Sequence, residues 1–394
     1  MSDRRISIVD RFPKAARRWS RLAVLLSLLA VLGLALASCG GKERPQGDAA
    51  SGTGPLVTAA SQPVDAVKIL VAQAGLYQVS AEQLQTAGLD LSNGAGAMSL
   101  TVAGEPVAFA WDAEGTAPGL TFYGQPRQSR YGRQNVYWLS RSQEETSQGL
   151  ALSGRLLTPA DEPSEPAVNS FQDTVRLEQS VQYLSQTPED TDHWLWQPIY
   201  APGAYTVTFD LPGWAGGDGA LNVSLWGNTQ DFKNPDHHVV LRLNGQQVAD
   251  SSWDDKGWRT VSADAPASAL KAAGNELVVE LPGDTGAVVD VAYLDYVEIA
   301  YPRQLLADAG AIRFSLPAGQ PVAVSGFPSD QVLLWDVTEP ARPQPLSGFA
   351  VTKQDNGYRV SFQDAGVTGQ RDYVAAAPEA RSAPVAIRPA AGRD

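Results

Sequence analysis

Apolar and polar residues alternate in Tyr205-Thr206-Val207-Thr208-Phe209 and in Leu221-Asn222-Val223-Ser224-Leu225. That period of two marks a strand with one buried face. Val239-Val240-Leu241-Arg242-Leu243 and Glu276-Leu277-Val278-Val279-Glu280 have strand length and are richer in apolar residues. Asn244-Gly245 between them is a two-residue hairpin signal, because both central positions of a type I′ turn need positive φ. Upstream, Val67-Lys68-Ile69-Leu70-Val71, Leu100-Thr101-Val102 and Gly119-Leu120-Thr121-Phe122-Tyr123 are separated by Gly, Pro and Asp. Downstream, Ile312-Arg313-Phe314, Gln331 to Trp335, Tyr358 to Phe362 and Tyr373 to Ala375 repeat the pattern. One helix is expected, Ala81 to Ala87, with Ser80 as N-cap and Gly88 as its stop. Many short strands with so little helix predict an all-β chain of tandem β modules, the central one a sandwich or jelly roll.

Hydropathy changes abruptly at the N-terminus. Seven basic residues (Arg4, Arg5, Arg11, Lys14, Arg17, Arg18, Arg21) precede Leu22, against Asp3 and Asp10. The uncharged run Leu22 to Leu36 follows; as a helix it would reach roughly 22 Å, short of a ~30 Å hydrocarbon core. A basic start, a short apolar stretch and a small-residue exit define a secretory signal. Leu36-Ala37-Ser38-Cys39-Gly40 then matches the bacterial lipobox, so Cys39 is the expected lipidation site and the new N-terminus. Two or more acyl chains anchor stably where one does not. The expected location is extracytoplasmic, with the chain anchored by lipid to the bacterial membrane or outer cell surface. An uncleaved single-span anchor, or an ordinary signal with a stray Cys, is the competing reading.

Cys39 is the only Cys in 394 residues, which excludes a cysteine nucleophile and any Cys-ligated metal from the remainder. The chain holds 30 Lys and Arg against 43 Asp and Glu; without the signal these become 23 and 41, a net of −18. Scattered acids of this excess exclude nucleic acid as a partner, since phosphate binding needs a basic stripe. They also serve solubility outside the cell.

Composition divides the chain further. Residues 1–38 read as the signal, and 39–64, rich in Gly, Ser, Ala and Pro, as the lipidated Cys with a flexible tether. An N-terminal β domain with one short helix is expected over 65–157, then a Pro/Glu-rich linker over 158–170. The central sandwich spans 171–302 and a small C-terminal β domain 303–377. Residues 378–394, mostly Ala, Pro and Arg, read as a disordered tail.

Several phrases occur together: Asp192-His193-Trp194-Leu195-Trp196, Asn234-Pro235-Asp236-His237-His238-Val239, Leu241-Arg242-Leu243-Asn244-Gly245, and Gly274-Asn275-Glu276-Leu277. Leu281-Pro282-Gly283-Asp284-Thr285-Gly286 and Tyr293-Leu294-Asp295-Tyr296-Val297-Glu298-Ile299-Ala300-Tyr301-Pro302 follow. Gly75-Leu76-Tyr77 and Asn135-Val136-Tyr137-Trp138-Leu139 lie upstream, and Trp335-Asp336-Val337-Thr338-Glu339-Pro340 downstream. From about Val67 to Ala377, these resemble the non-catalytic N-terminal region of gingipain-like (C25 family) bacterial surface proteases. The central module is similar to a galactose-binding-like β-sandwich, a fold that often displays ligand at its loops and holds a structural Ca²⁺.

In the C25 family a caspase-like peptidase domain, with its His and Cys, follows this region. Neither residue type occurs after Ala377 here, so the resemblance implies no peptidase activity for this chain. Two functions follow as expectations. One is a non-catalytic surface lipoprotein presenting β-sandwich modules for glycan or protein binding. The other is a detached accessory or propeptide-like region of a gingipain-like cysteine protease, acting in trans or left by a split gene.

No catalytic residues are assigned. His193, His237 and His238 are the only histidines, and neighbours on a strand point to opposite faces, so the last two do not chelate one ion. Asp231, Asn234 and Asp236 crowd one loop, and Asp284, Asp290 and Asp295 follow later. Hard oxygen donors suit Ca²⁺; the same residues also read as solvated loop acids in Asx turns. A structural Ca²⁺ on Asp231, Asn234 and Asp236 is therefore the one cofactor expectation. Trp214 and Trp258, beside Gly-rich or charged turns, are the candidate sugar platforms, whereas Trp194 and Trp196 read as core. No Gly-x-Ser-x-Gly elbow and no phosphate loop occur.

Overall fold

The alternating runs of the central region form the two sheets of a sandwich. The computed structural model describes residues 54–60, 62–91, 98–112, 118–127, 134–141, 152–157 and 168–390. The signal, Cys39, the start of the tether and residues 158–167 of the expected linker lie outside them. In the first sheet the strands run Ser170–Glu178, Val291–Gln304, Gly219–Gly227 and Gly257–Ala265, with Gln197–Tyr200 also paired to Val291–Gln304. In the second the order is Gly203–Phe209, Asn275–Leu281, His237–Leu243 and Gln246–Trp253. Every pairing in both sheets is antiparallel.

The period of two explains the core. Leu221, Val223 and Leu225 bury their side chains with Val297 and Ile299 from one sheet and Val207, Leu241, Leu277 and Val279 from the other. Burying each such side chain contributes roughly 1.5–3 kcal/mol. Asn244 (φ 49°) and Gly245 (φ 86°) make the tight turn that joins the His237–Leu243 and Gln246–Trp253 strands. The chain is all-β with a central β-sandwich, as its pattern predicts.

Two further cores flank the sandwich in sequence. Val67, Ile69, Leu100, Phe122 and Leu139 build the first, and Phe314, Val324, Phe327, Phe362 and Tyr373 the second. The one α-helix among the described residues, Ala81–Thr86, opens on a capping box: Ser80 Oγ accepts from the Gln83 amide, and Gln83 Oε1 accepts from the Ser80 amide. Gly88 follows at φ 89°, a conformation that stops a helix.

The outer modules interlock, which the linear division into domains does not anticipate. Ala386–Pro389 pairs antiparallel with Ala66–Val71 and parallel with Leu56–Val57. Ile387 is fully buried in the first core, so the segment beyond Pro378 is not a disordered tail, and Leu56–Val57 is not free tether. Arg155–Leu156 in turn pairs parallel with Gln344–Ser347 of the C-terminal module. Leu76 and Tyr123 meet Trp335, Val337 and Val374 in an apolar seam between the two. Composition misleads at both ends because a four-residue strand needs only two inward side chains when an existing sheet edge supplies its hydrogen bonds.

Candidate functional site

Strand alternation sets the two adjacent histidines on opposite faces. His237 points inward and is fully buried; His238 points outward. His237 Nδ1 lies 2.6 Å from Asp290 Oδ1, and Nε2 lies 3.2 Å from the Thr229 carbonyl. Both partners are acceptors, an arrangement that favours the doubly protonated, charged ring. Burial alone would lower the His237 pKa; the Asp290 bond and the Asp290 and Asp236 charges outweigh it and raise the value above the ordinary one. The ring stacks on Trp253 at 4.7 Å between centroids. A Cβ on Gly227 would meet His237 Nε2 at 2.8 Å and Trp253 Nε1 at 2.7 Å, so only glycine fits against this pair.

The neighbouring carboxylates tie loops together. Asp236 is buried and accepts from the backbone N–H groups of Asp231 (2.8 Å) and Asp255 (2.9 Å). Asp231 accepts from Lys233 (3.1 Å) and Val288 (3.0 Å), and these two amides hold its pKa below the usual carboxylate range. The 228–236 loop is thereby bonded to the 282–290 loop. Their tips carry apolar side chains into solvent: Phe232 is fully exposed, Val288 is 89 % exposed, and Val289 and the adjacent Tyr200 are more than half exposed. Outside, His238 bridges Asp284 (2.6 Å) and Asp250 (3.0 Å); desolvation opposes its charge, but the two carboxylates raise its pKa.

The expected metal set takes another role. Both oxygens of Asp231 and both of Asp236 accept backbone N–H groups, and Asn234 Nδ2 donates to Asp254 Oδ2 (2.7 Å). These three residues lock loops instead of forming a cage. Asp284, Asp290 and Asp295 do not cluster either: the first holds His238, the second His237, and the third lies against Ser224.

Another oxygen group joins residues distant in sequence, although Glu178 also pairs with Arg176 (2.9 Å) and Asp192 accepts the Trp194 amide (2.8 Å). Glu178, Asp192 and Asp295 each place a carboxylate oxygen within 4.8 Å of the others. Ca²⁺ with ligands at ~2.4 Å admits oxygens up to about 5 Å apart, so the three fit one ion. Asp295 is 94 % buried: Oδ2 accepts from Ser224 Oγ (2.9 Å), and Oδ1 has no partner. Burial pushes its pKa up to about 6, helped by the Glu178 and Asp192 charges and opposed by the Ser224 bond and the Arg176 charge. Asp236, Asp254 and Asp255 form a second such group, in which each Asp236 oxygen already accepts one amide. Spacing could not reveal Glu178 and Asp192, because only the pairing of Ser170–Glu178 with Val291–Gln304 and the fold-back of residues 183–195 bring them to Asp295.

Neither predicted platform is an open ring. Trp214 packs in part against the sandwich core, its Nε1 donating to the Gly217 carbonyl at 3.3 Å. Trp258 meets Trp226 edge-on at 5.4 Å, and its Nε1 is buried without an acceptor. Trp196 is core, whereas Trp194 is only half-buried and stands edge-on to Tyr183.

No protein-family model and no curated protein sequence matches this chain. Among solved structures, dimeric latent PorU from Porphyromonas gingivalis shares its fold at a TM-score of 0.62, with 15 % identity over 83 % of this chain and 33 % of PorU. The chain thus spans about a third of PorU's length. Two CBM36 carbohydrate-binding modules are also similar. One, from a xylanase of the Trinervitermes trinervoides hindgut metagenome, has 11 % identity over 32 % of this chain and 95 % of its own. The other, solved with calcium and xylotriose, has 15 % identity over 32 % and 98 %. Both have a TM-score of 0.22, too low to bear on a ligand here.

Proposed function

We propose that this chain is a non-catalytic surface lipoprotein, anchored through Cys39, whose central sandwich contacts a glycan or another surface protein with the loop end around Phe232 and Val288. The observation that carries this reading is the pre-ordered loop end, where exposed apolar side chains stand on loops locked by Asp231, Asp236 and the His237–Asp290 pair. Ordered apolar tips cost little entropy on binding, and contacts of this kind are where binding energy concentrates. All three histidines are occupied in loop ties, His193 with Thr187 Oγ1 (2.6 Å) and the Leu184 carbonyl (3.0 Å). Binding to a glycan array or to outer-surface proteins should be lost in Phe232→Ser/Val288→Ser, with unfolding unchanged. Binding that survives both substitutions overturns this reading.

The anchor has its own test. Cys39→Ala should abolish palmitate labelling and membrane fractionation; undiminished labelling refutes the lipid anchor. The second reading, an accessory region of a gingipain-like protease working in trans, draws support from the fold shared with PorU. A caspase-like domain encoded immediately downstream would favour it.

We further propose a structural Ca²⁺ on Glu178, Asp192 and Asp295, where it would neutralise Asp192 and buried Asp295 beside the Arg176-paired Glu178 and pin the 183–195 segment to the sheet. At a free concentration ~100 times Kd, binding contributes about 2.7 kcal/mol, which raises the Tm by several degrees. Magnesium should do less, since it demands a smaller octahedral cage. Asp295→Asn should remove the calcium increment, and Asp231→Ala should leave it. Identical melting with calcium and with chelator rules the ion out.

A further inference from the structure

Where residues 108 and 153–155 meet the C-terminal module, they enclose a cavity of about 440 Å³. Its charged lining is Arg155, Arg342, Arg371, Asp336 and Glu339, with Ser153 beside them. A volume of this order lies within the range of small-molecule sites.

The hydrogen-bond inventory of this lining is unbalanced towards donors. Asp336 Oδ1 accepts from the Thr338 amide (3.0 Å) and hydroxyl (2.6 Å), and its Oδ2 takes Arg155 Nη2 at 2.7 Å. Arg371 Nη1 stands 3.7 Å from the same Oδ2. Behind it, Asp364 Oδ2 accepts from Arg155 Nη2 (2.7 Å) and from the Tyr373 hydroxyl (2.9 Å). The two buried carboxylates are thus engaged, yet Arg155 Nε, Arg155 Nη1 and Arg371 Nε are buried with no acceptor. A guanidinium has five donors and no acceptor, and buried donors in a native fold are nearly always paired. Arg342 adds a third guanidinium, exposed at the mouth. These three nitrogens lie beneath the cavity surface, and what the cavity presents to a ligand is the exposed part of Arg371 and the Arg342 head, with Arg155 below them.

We propose that this cavity binds a small oxyanion, a carboxylate or phosphate group, clamped by Arg371 and Arg342 above Arg155. Carboxylate and phosphate both match the planar fork of arginine, which holds them through paired charge-assisted bonds. Arg155 and Arg371 offset Asp336 and Asp364, and exposed Glu339 stands beside Arg342, so the ligand is held by directed donors and not by a net positive charge. The group can arrive on an acidic sugar or as phosphate, and the two sources share this chemistry.

Calorimetry on the full chain in detergent tests the site, with sodium glucuronate, inorganic phosphate and uncharged glucose as probes. At least one of the two anions should bind, and glucose should not. Glucuronate without phosphate identifies a carboxylate site, and phosphate without glucuronate a phosphate site. Arg342→Gln should weaken binding about tenfold or more, as loss of a charged hydrogen-bond donor does. Val367→Trp, which fills the cavity without touching charge, should abolish it. Arg155 is left intact because it also holds Asp336 and Asp364. Absence of heat from both anions at millimolar concentration overturns the proposal. So does equal binding of glucose, or anion binding that survives both substitutions. None of these outcomes bears on the loop end at Phe232, so the two sites stand or fall separately.

Discussion

Arg155→Met should destabilise the fold by about 3–5 kcal/mol, the cost of breaking a buried ion pair from one side. Arg155 Nη2 stands 2.7 Å from both Asp336 and Asp364, each carboxylate only 3 % exposed. Methionine keeps most of the stem's packing but leaves two charges in low dielectric, with only Arg371 at 3.7 Å as partial compensation. Arg155 also lies on the short strand that pairs with Gln344–Ser347, so the loss falls where the outer modules interlock. Urea denaturation of the full chain reads it as a lower midpoint. Adding Asp336→Asn and Asp364→Asn to Arg155→Met should recover part of the loss, since the stranded charge causes most of it. A change below about 1 kcal/mol, typical of an exposed pair, would contradict this account.

The second large effect is pH-dependent and centres on His237. Its pKa is raised in the fold, so the folded state binds its proton more tightly than the unfolded chain does. The resulting stability is fully present below the unfolded value of about 6.5 and is lost as pH rises through the raised value. Denaturation midpoints should therefore fall as pH climbs from about 6 towards the alkaline side. In His237→Gln that slope should flatten. The variant should also lose about 3–5 kcal/mol at the low end of the window, because Asp290, buried with one oxygen already unpartnered, loses its counter-charge.

His238 titrates with the same sign, but Asp250 and Asp284 are more than half exposed, so solvent screens its share. His238→Gln should remove a minor part of the slope. Asp295, pushed up to about 6, works in a lower window: folding disfavours its charge, so stability falls as pH rises from about 4 through 6. Calcium should abolish that lower slope without altering the upper one. A midpoint that is flat above neutral pH in the native chain would show that His237 is not charged.

The local features were legible in the residues. Alternation placed the strands, Asn244-Gly245 placed a hairpin, and Ser80 and Gly88 placed the helix to within one residue at its end. Adjacent position alone sent His237 and His238 to opposite faces. Each of these depends on a few neighbouring residues, whose dihedral preferences and side-chain period are local properties.

Tertiary structure decided the rest. It turned Asp231 and Asp236 from expected ligands into acceptors for loop amides, because the 228–236 loop folds back on itself and onto residue 288. It placed Trp214 and Trp258 against other groups instead of in the open. It gave the Ala386–Pro389 segment a sheet edge that its composition does not announce. The Glu178–Asp192–Asp295 group and the arginine cavity arise the same way, from side chains that meet only through strand pairing and module packing. Alternation states which face of a strand is buried but not which strand lies beside it. Sheet order is set by the summed burial of distant side chains, and so are the sites assembled across it.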